Sequence, residues 1–294
     1  MVRRKAFWAV VSIPLIIAGI CGWLTEPLEA PSNSSPAAVA VPEEAAETRP
    51  ALGEWPVTPI NGRAATQLLL DSLLDAESRL EAARAYSALL RKTERLKGKL
   101  GSEQVIEIKS RLHPFSIYLR YRTPEPGKEV VYSEGRYENH VIAHGVGISR
   151  TLIPRLKVAP DSMVAMSGNR HPITDAGLGK LTAKLIGFRR MDLVDPESVT
   201  VLDRIKDDSG REWLRSFHTH PNPNSERPFK NVEVLYHPET RIPYKISSYD
   251  WLKPGETGEP QLAERYTYDD LKLGIPLTDT DFDPANPAYE FSRF

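Results

Sequence analysis

The 294-residue chain has a single cysteine, Cys21, and it lies inside an uncharged apolar run. The rest of the chain is therefore without a thiol. That excludes an internal disulfide, a cysteine nucleophile and a cysteine-ligated metal in the part expected to fold. Positive charge is not in excess: 38 Lys and Arg stand against 39 Asp and Glu, a formal net charge of −1. With no surplus of cations to displace phosphate counterions, the composition argues against a nucleic-acid partner. Catalytic signatures are missing too. There is no Gly-x-Ser-x-Gly elbow, no His-Glu-x-x-His, no phosphate loop and no Gly-x-Gly-x-x-Gly. The expectation is a protein that is not an enzyme and has no cofactor and no metal. Because 39 acidic residues always offer some carboxylate pairs, a carboxylate-dependent hydrolase stays open as a third reading.

Only one stretch is long and apolar. Ala6 to Leu24 carries no charge and follows Arg3, Arg4 and Lys5. As a helix it would reach ~28 Å, about the thickness of a bilayer core. The preceding cations orient its start toward the cytoplasm and the remainder outside the membrane. Residues 1–24 are expected to be an uncleaved signal anchor. A cleaved signal peptide and a lipidated Cys21 are the alternatives. Pro14 does not argue against a span, since membrane helices tolerate proline. The expected location is the cell envelope, anchored in the inner membrane with an extracytoplasmic C-terminal domain, or secreted if the signal is cut. Setting aside Arg3, Arg4 and Lys5 from the 38 cations leaves 35 against 39 anions, a mildly acidic exported part.

Residues 25–60 read as a Pro-rich linker. Pro27, Pro31, Pro36, Pro42, Pro50, Pro56 and Pro59 are spread among Ser, Ala and Glu, a composition too poor in apolar surface to order itself. Its reach is ~30–35 Å. Residues 61–294 suit one domain. The domain opens on a helix whose apolar stripe is Leu69, Leu73, Ala76, Leu80 and Ala83. Period-two alternation follows. Tyr86, Ala88 and Leu90 alternate with polar neighbours, Lys97-Gly98 makes a turn, and Val105–Leu112 is the next strand. Phe115, Ile117, Leu119 and Tyr121 then share one face, with Ser116, Tyr118 and Arg120 on the other. Further strands are expected at Glu129–Ser133, His140–Gly145 and Thr151–Val158.

A helical insert interrupts the meander. Thr174 is its expected cap, Ile173 a staple onto Leu178, Leu181 and Leu185 the continuation of its face, and Gly187 its stop. Strands resume at Val199–Ile205, Glu212–His220, Asn231–Tyr236, Pro243–Trp251 and Arg265–Leu273. About ten strands and two helices predict an α+β fold: a strongly curved antiparallel sheet, an incomplete barrel, wrapped around the helices.

Four strings carry a resemblance: "RKTERLKGKL" from Arg91, "KSRLHPFSIYLRY" from Lys109, "SGNRHPITDAGL" from Ser167 and "DFDPANPAYEF" from Asp281. With them the chain, from about Leu68 to Phe294, resembles the domain-of-unknown-function family 1571. The order of its elements more distantly resembles the lipoprotein-carrier fold of LolA, LolB and the RseB-type regulators. The first resemblance implies no activity. The second implies a curved sheet around helices.

Histidine and aromatic residues supply the candidate sites. His140 and His144 on one strand would stand ~13 Å apart, too far for one metal, and His218 with His220 at ~6–7 Å lacks a third ligand. Arg170 and His171 have two readings. Arg170 could grip an anionic head group while His171 titrates near neutrality. Alternatively, His171 donates to a backbone carbonyl and Arg170 pairs with a carboxylate, bracing the helix entry. The strand aromatics either fill the core or line a partly open apolar concavity. In the open case Phe115, Ile117, Leu119, Tyr121 and Tyr132 are the candidate ligand-binding residues beside Arg170 and His171. An acyl chain held there would gain ~0.8 kcal/mol per buried CH2 and require no catalytic motif. The leading reading is thus a membrane-tethered module that shelters a lipid, an acyl chain or a lipoprotein. The alternative is an envelope protein-interaction or regulatory module whose sheet edge or tail engages a partner.

Overall fold

The computed structural model describes residues 53–145, 155–223, 227–252, 255 and 257–293, all within one compact unit spanning 49–294. Arg3, Arg4, Lys5, the apolar run 6–24, Cys21 and most of the Pro-rich stretch lie outside the described residues. Among the described residues no helix is long and apolar enough to cross a membrane.

The elements follow the expected order. Strand β1 (Ile60–Asn61) leads into helix α1 (Gly62–Ala83). A meander follows: β2 (Ala85–Leu96), β3 (Lys99–Leu100), β4 (Gln104–Arg111), β5 (Ser116–Thr123), β6 (Glu129–Ser133), β7 (Val141–His144) and β8 (Leu156–Val158). Helix α2 (Leu178–Val194) intervenes. The second meander is β9 (Val199–Lys206), β10 (Glu212–Thr219), β11 (Asn231–Tyr236), β12 (Pro243–Tyr249) and β13 (Leu262–Leu273). All join one open antiparallel sheet in the order β1-β9-β10-β11-β12-β13-β2-β4-β5-β6-β7-β8, with β3 beside β2. The described strands number thirteen against the ten expected. Two of them, β1 and β3, are two residues long and too short to show alternation.

The two meanders are welded where β13 pairs with β2, in a register that sets Glu264 opposite Glu94 and Tyr268 opposite Leu90. One face of the whole sheet packs on the helices. Ala76 and Leu80 of α1 bury with Ile106, Ile117 and Val130, while Leu69 and Leu73 bury with Leu202, Leu214 and Val234. Strands far apart in the order thus pack on one helix pair, so the sheet curves around it, as its α+β pattern predicts. Ordered packing begins before residue 61: Trp55 is buried, and its indole N–H donates to the Asp203 carbonyl.

Helix α2 departs from expectation at both ends. Ile173 and Thr174 sit in a separate short 3-10 turn, Ile173–Asp175, and the residue before the helix is Gly177. Gly177 has φ 94° and ψ 163°, a region that only glycine occupies at ease. The need is steric as well. A Cβ there would lie 2.7 Å from Tyr86 Oη, which accepts the Leu178 N–H at 2.7 Å. Gly177→Ala should therefore destabilise the domain by at least the roughly 1–3 kcal/mol of backbone strain. Urea denaturation of the variant tests this, and an unchanged midpoint would refute it. Gly187 does not stop the helix, which runs on to Val194. A glycine inside a helix costs only ~1 kcal/mol. Here the last turns carry Arg189 and Asp192, buried against β10 and paired with each other.

The tail folds back over the convex face. Phe282, Tyr289 and Phe291 bury against Tyr118, Val131 and Ile142, the residues of β5–β7 that alternate away from the helices. The Tyr118 and Tyr289 rings stack at 4.0 Å, and Phe291 meets the His144 ring edge-on at 4.7 Å. Turn chemistry places these rings. Asp281 and Thr278 form a reciprocal cap, Asp283 accepts from Ala285 N and Arg136, and Asn286 donates to the Thr280 carbonyl.

Candidate functional site

The concave side is not filled. A cavity of about 310 Å³ lies between the sheet and α2, at the small end of the usual range for ligand sites, ~300–1,000 Å³. Alternation builds its sheet wall. Leu90, Ile106, Leu119, Tyr121, Val130, Val141 and Ala143 come from β2 and β4–β7, and Val232, Ile246 and Tyr268 from the second meander. Leu181, Leu185 and Phe188 of α2 form the opposite wall. Val164, in the loop before α2, lines the cavity yet is 56% exposed, so this loop marks the opening. Its neighbour Met163 is almost fully exposed.

A polar belt crosses this apolar lining at the β13–β2 seam. Glu94 and Glu264 face each other there, and both line the cavity. Glu94 accepts from Tyr266 Oη at 2.5 Å and from the Arg170 backbone N–H at 3.1 Å, and pairs with Lys92 at 3.2 Å. Glu264 shares a hydrogen bond with His171 Nε2 at 2.7 Å, pairs with Arg170 at 3.2 Å and accepts from Ser248 Oγ at 3.3 Å. Burial pushes the Lys92 ammonium below its ordinary range, with Glu94 opposing that shift, and pushes the Tyr266 phenol far up. Two facing acids in a pocket are what a carboxylate hydrolase needs. Here all four carboxylate oxygens already hold a donor or a cation, and the cations Lys92 and Arg170 match the two acids. The belt is a closed ion network that braces the seam.

The string Asn169-Arg170-His171 is explained by this belt. Asn169 accepts from Lys92 Nζ, Arg170 also donates to the Arg95 carbonyl at 2.9 Å, and His171 reaches Glu264. Arg170 pairs with a carboxylate, as one of its two readings expects, but both residues reach the β13–β2 seam, and His171 bonds a carboxylate and not a backbone carbonyl. Of the seven residues singled out as ligand contacts, Leu119, Tyr121 and His171 line the cavity. Phe115, Ile117 and Tyr132 lie in the same buried cluster without lining it, and Arg170 stands behind the belt. Sequence reading missed the contributions of α2, β2 and β13. Their lining residues are ordinary apolar and charged residues at ordinary strand or helix spacing, and nothing local marks them.

The histidines are structural contacts. His144 is buried on the convex face, its Nε2 2.9 Å from Glu129 Oε2. His140 sits before β7 with Nδ1 against the Glu138 carbonyl. His218 and His220 are buried below α2. Among the described residues no group of three His, Cys, Asp or Glu is placed to hold a metal.

A family model described as "Protein of unknown function (DUF1571)" matches residues 83–291, more than two thirds of the chain. The chain belongs to the DUF1571 family. The matched span runs from the end of α1 to the convex tail and so contains the whole sheet wall of the cavity. No curated protein matches the chain. Among solved structures it is similar to lipoprotein LppX of Mycobacterium tuberculosis, with 12% identity, 74% of this chain and 99% of that chain covered, and a TM-score of 0.41. It is similar to a putative outer membrane lipoprotein-sorting protein domain from Vibrio parahaemolyticus, with 10% identity, 74% and 97% covered, and a TM-score of 0.35. A LolA superfamily protein from Nitrosomonas europaea gives 11% identity, 72% and 96% covered, and a TM-score of 0.30.

Proposed function

We propose that this DUF1571 chain is an extracytoplasmic, membrane-tethered binding module that shelters a lipid, an acyl chain or the acyl part of a lipoprotein in the concavity of its sheet. The observation that carries the reading is the cavity itself, walled by apolar side chains from both meanders and α2 and opening beside the exposed Met163 and Val164. Each acyl CH2 moved into such a space contributes ~0.8 kcal/mol without any specific contact. A span at residues 6–24 with Arg3, Arg4 and Lys5 on the cytoplasmic side would hold the domain at the membrane that supplies the ligand. A tethered module is better suited to local acceptance or sensing than to long-range carriage.

Native mass spectrometry of the gently extracted full chain tests this. The expected result is one bound amphiphile per chain, restored by fatty acid after delipidation. An empty chain that takes up nothing would overturn the proposal, and one stoichiometric protein partner in its place would favour the interaction module. Ala143 lines the cavity from β7, so Ala143→Trp would fill it. That variant should lose at least tenfold in acyl uptake with little change in thermal midpoint.

A further inference from the structure

In a second polar cluster, at the β10 side of the cavity, two buried cations meet one buried and one part-exposed carboxylate. Arg189, His220 and Arg227 line the cavity there. Arg189 is 2% exposed and Arg227 4% exposed. The carboxylate buried with them is Asp192, which meets Arg189 at 2.7 Å and is hydrogen-bonded by Arg227. Asp195 reaches Arg227 at only 3.5 Å from a position one-third exposed, and is already engaged by Ser198 Oγ and the Glu197 N–H.

Neither histidine offsets the second buried cation. His218 Nδ1 faces both Arg189 and Thr200 Oγ1, and its Nε2 faces Ser216 Oγ at 2.9 Å. His220 Nδ1 donates to the Phe229 carbonyl at 3.0 Å, and its Nε2 lies 3.3 Å from Arg227 and 3.6 Å from Asp192 Oδ1. Two buried guanidiniums thus share one buried carboxylate; the Arg189 Nε–H has no hydrogen-bond acceptor, and Asp192 Oδ2 meets Arg189 only through the 2.7 Å ion pair. A buried donor left unmade costs ~1–3 kcal/mol, more when charged, and an anion arriving with a ligand would recover that cost. Burial tends to raise the Asp192 carboxyl, but the contact to His220 and the charges of Arg189 and Arg227 hold it below its ordinary range, so it stays committed to them.

We infer that Arg189 and Arg227 form the head-group site of the cavity, and that the ligand is an amphiphile with an acyl chain and one anionic head, a carboxylate or a phosphate. A planar guanidinium pairs with either by forked hydrogen bonds. This inference rests on the acyl-binding reading above and adds the charge of the ligand to it.

The test uses the full chain in nanodiscs at pH 8 with a diazirine-tagged dodecanol, whose photocrosslinks are mapped to peptides. Unlabelled dodecanoic acid, dodecyl phosphate and dodecanol compete with it below their micellar concentrations. The expected result is crosslinking to cavity-lining peptides and competition by one or both anions at concentrations at least tenfold below that of dodecanol. Whichever anion competes better identifies the head group. In Arg189→Gln and Arg227→Gln that advantage should shrink below threefold, and in Asp192→Asn it should persist or grow. Competition by dodecanoic acid and dodecyl phosphate that is no better than that by dodecanol in the unaltered chain would overturn the head-group site while leaving the acyl cavity standing, and needs no variant to fold. No crosslinking in the cavity by any probe would overturn both.

Discussion

Glu129→Ala is expected to lower the stability of the domain by about 3–5 kcal/mol, since each buried hydrogen-bonding group that loses its partner costs ~1–3 kcal/mol. Glu129 is fully buried on the convex face. It accepts from Tyr118 Oη at 2.7 Å and from the Glu290 backbone N–H at 2.8 Å, and it lies 2.9 Å from His144 Nε2 and 4.0 Å from Arg120 Nε. Alanine would remove the carboxylate from all of these groups at once. For a domain of this size each kcal/mol moves the thermal midpoint by ~2–4 °C, so the drop should be on the order of ten degrees. A midpoint within two degrees of the parent would refute this account of the convex face.

The same residue sets a pH dependence. Burial tends to raise the Glu129 carboxyl, but the hydrogen bonds from His144, Tyr118 and the Glu290 N–H together hold it below its ordinary range. A folded-state value below the unfolded one gives stability that is present above the unfolded value and lost as pH falls through the folded one. Asp281 and Asp283 are shifted in the same direction. For each, burial opposes the shift, while backbone N–H groups and a cation (Lys109 or Arg136) outweigh it. The convex clasp should therefore weaken below about pH 4.5, the ordinary glutamate range. In Glu129→Gln the acid limb of a stability–pH curve should be shallower than in the parent, and parallel limbs would contradict this assignment.

Phe282→Ala should cost a similar ~3–5 kcal/mol, as full burial of a phenyl ring implies. Phe282 is wholly inaccessible, and the Arg111 guanidinium lies 5.0 Å from its ring centre. The loss would be local first. The tail is held by Phe282, Tyr289 and Phe291 together, so limited proteolysis should cut the variant near residues 277–291 before the sheet is touched. Simultaneous loss of tail and sheet would mean that the tail is part of the main cooperative unit.

Much of the fold was legible because alternation records which side of a strand is buried. Phe115, Ile117, Leu119 and Tyr121 were assigned to one face by period alone, and three of the four now lie in β5. The stripe of Leu69, Leu73, Ala76, Leu80 and Ala83 likewise marked the buried side of α1, apart from Ala83 at the helix end, which is only half-buried. What failed failed at glycines and ends. Gly187 looked like a stop because local propensity disfavours it, but burial of Arg189 and Asp192 carries α2 past it. Gly177, the residue the helix entry depends on, was not singled out, because its need comes from Tyr86, 91 positions earlier.

The order of elements, the greasy face of each, the lack of a usable thiol and the absence of any reactive motif were written in the residues themselves, since each depends only on near neighbours along the chain. The facing of Glu94 with Glu264, the convergence of Arg189, His220 and Arg227, and the open space between them were decided only when β13 paired with β2 and α2 settled across the sheet. Those contacts join residues from 7 to 170 positions apart, and charge balance in a buried place is a property of the neighbourhood, which no local pattern encodes.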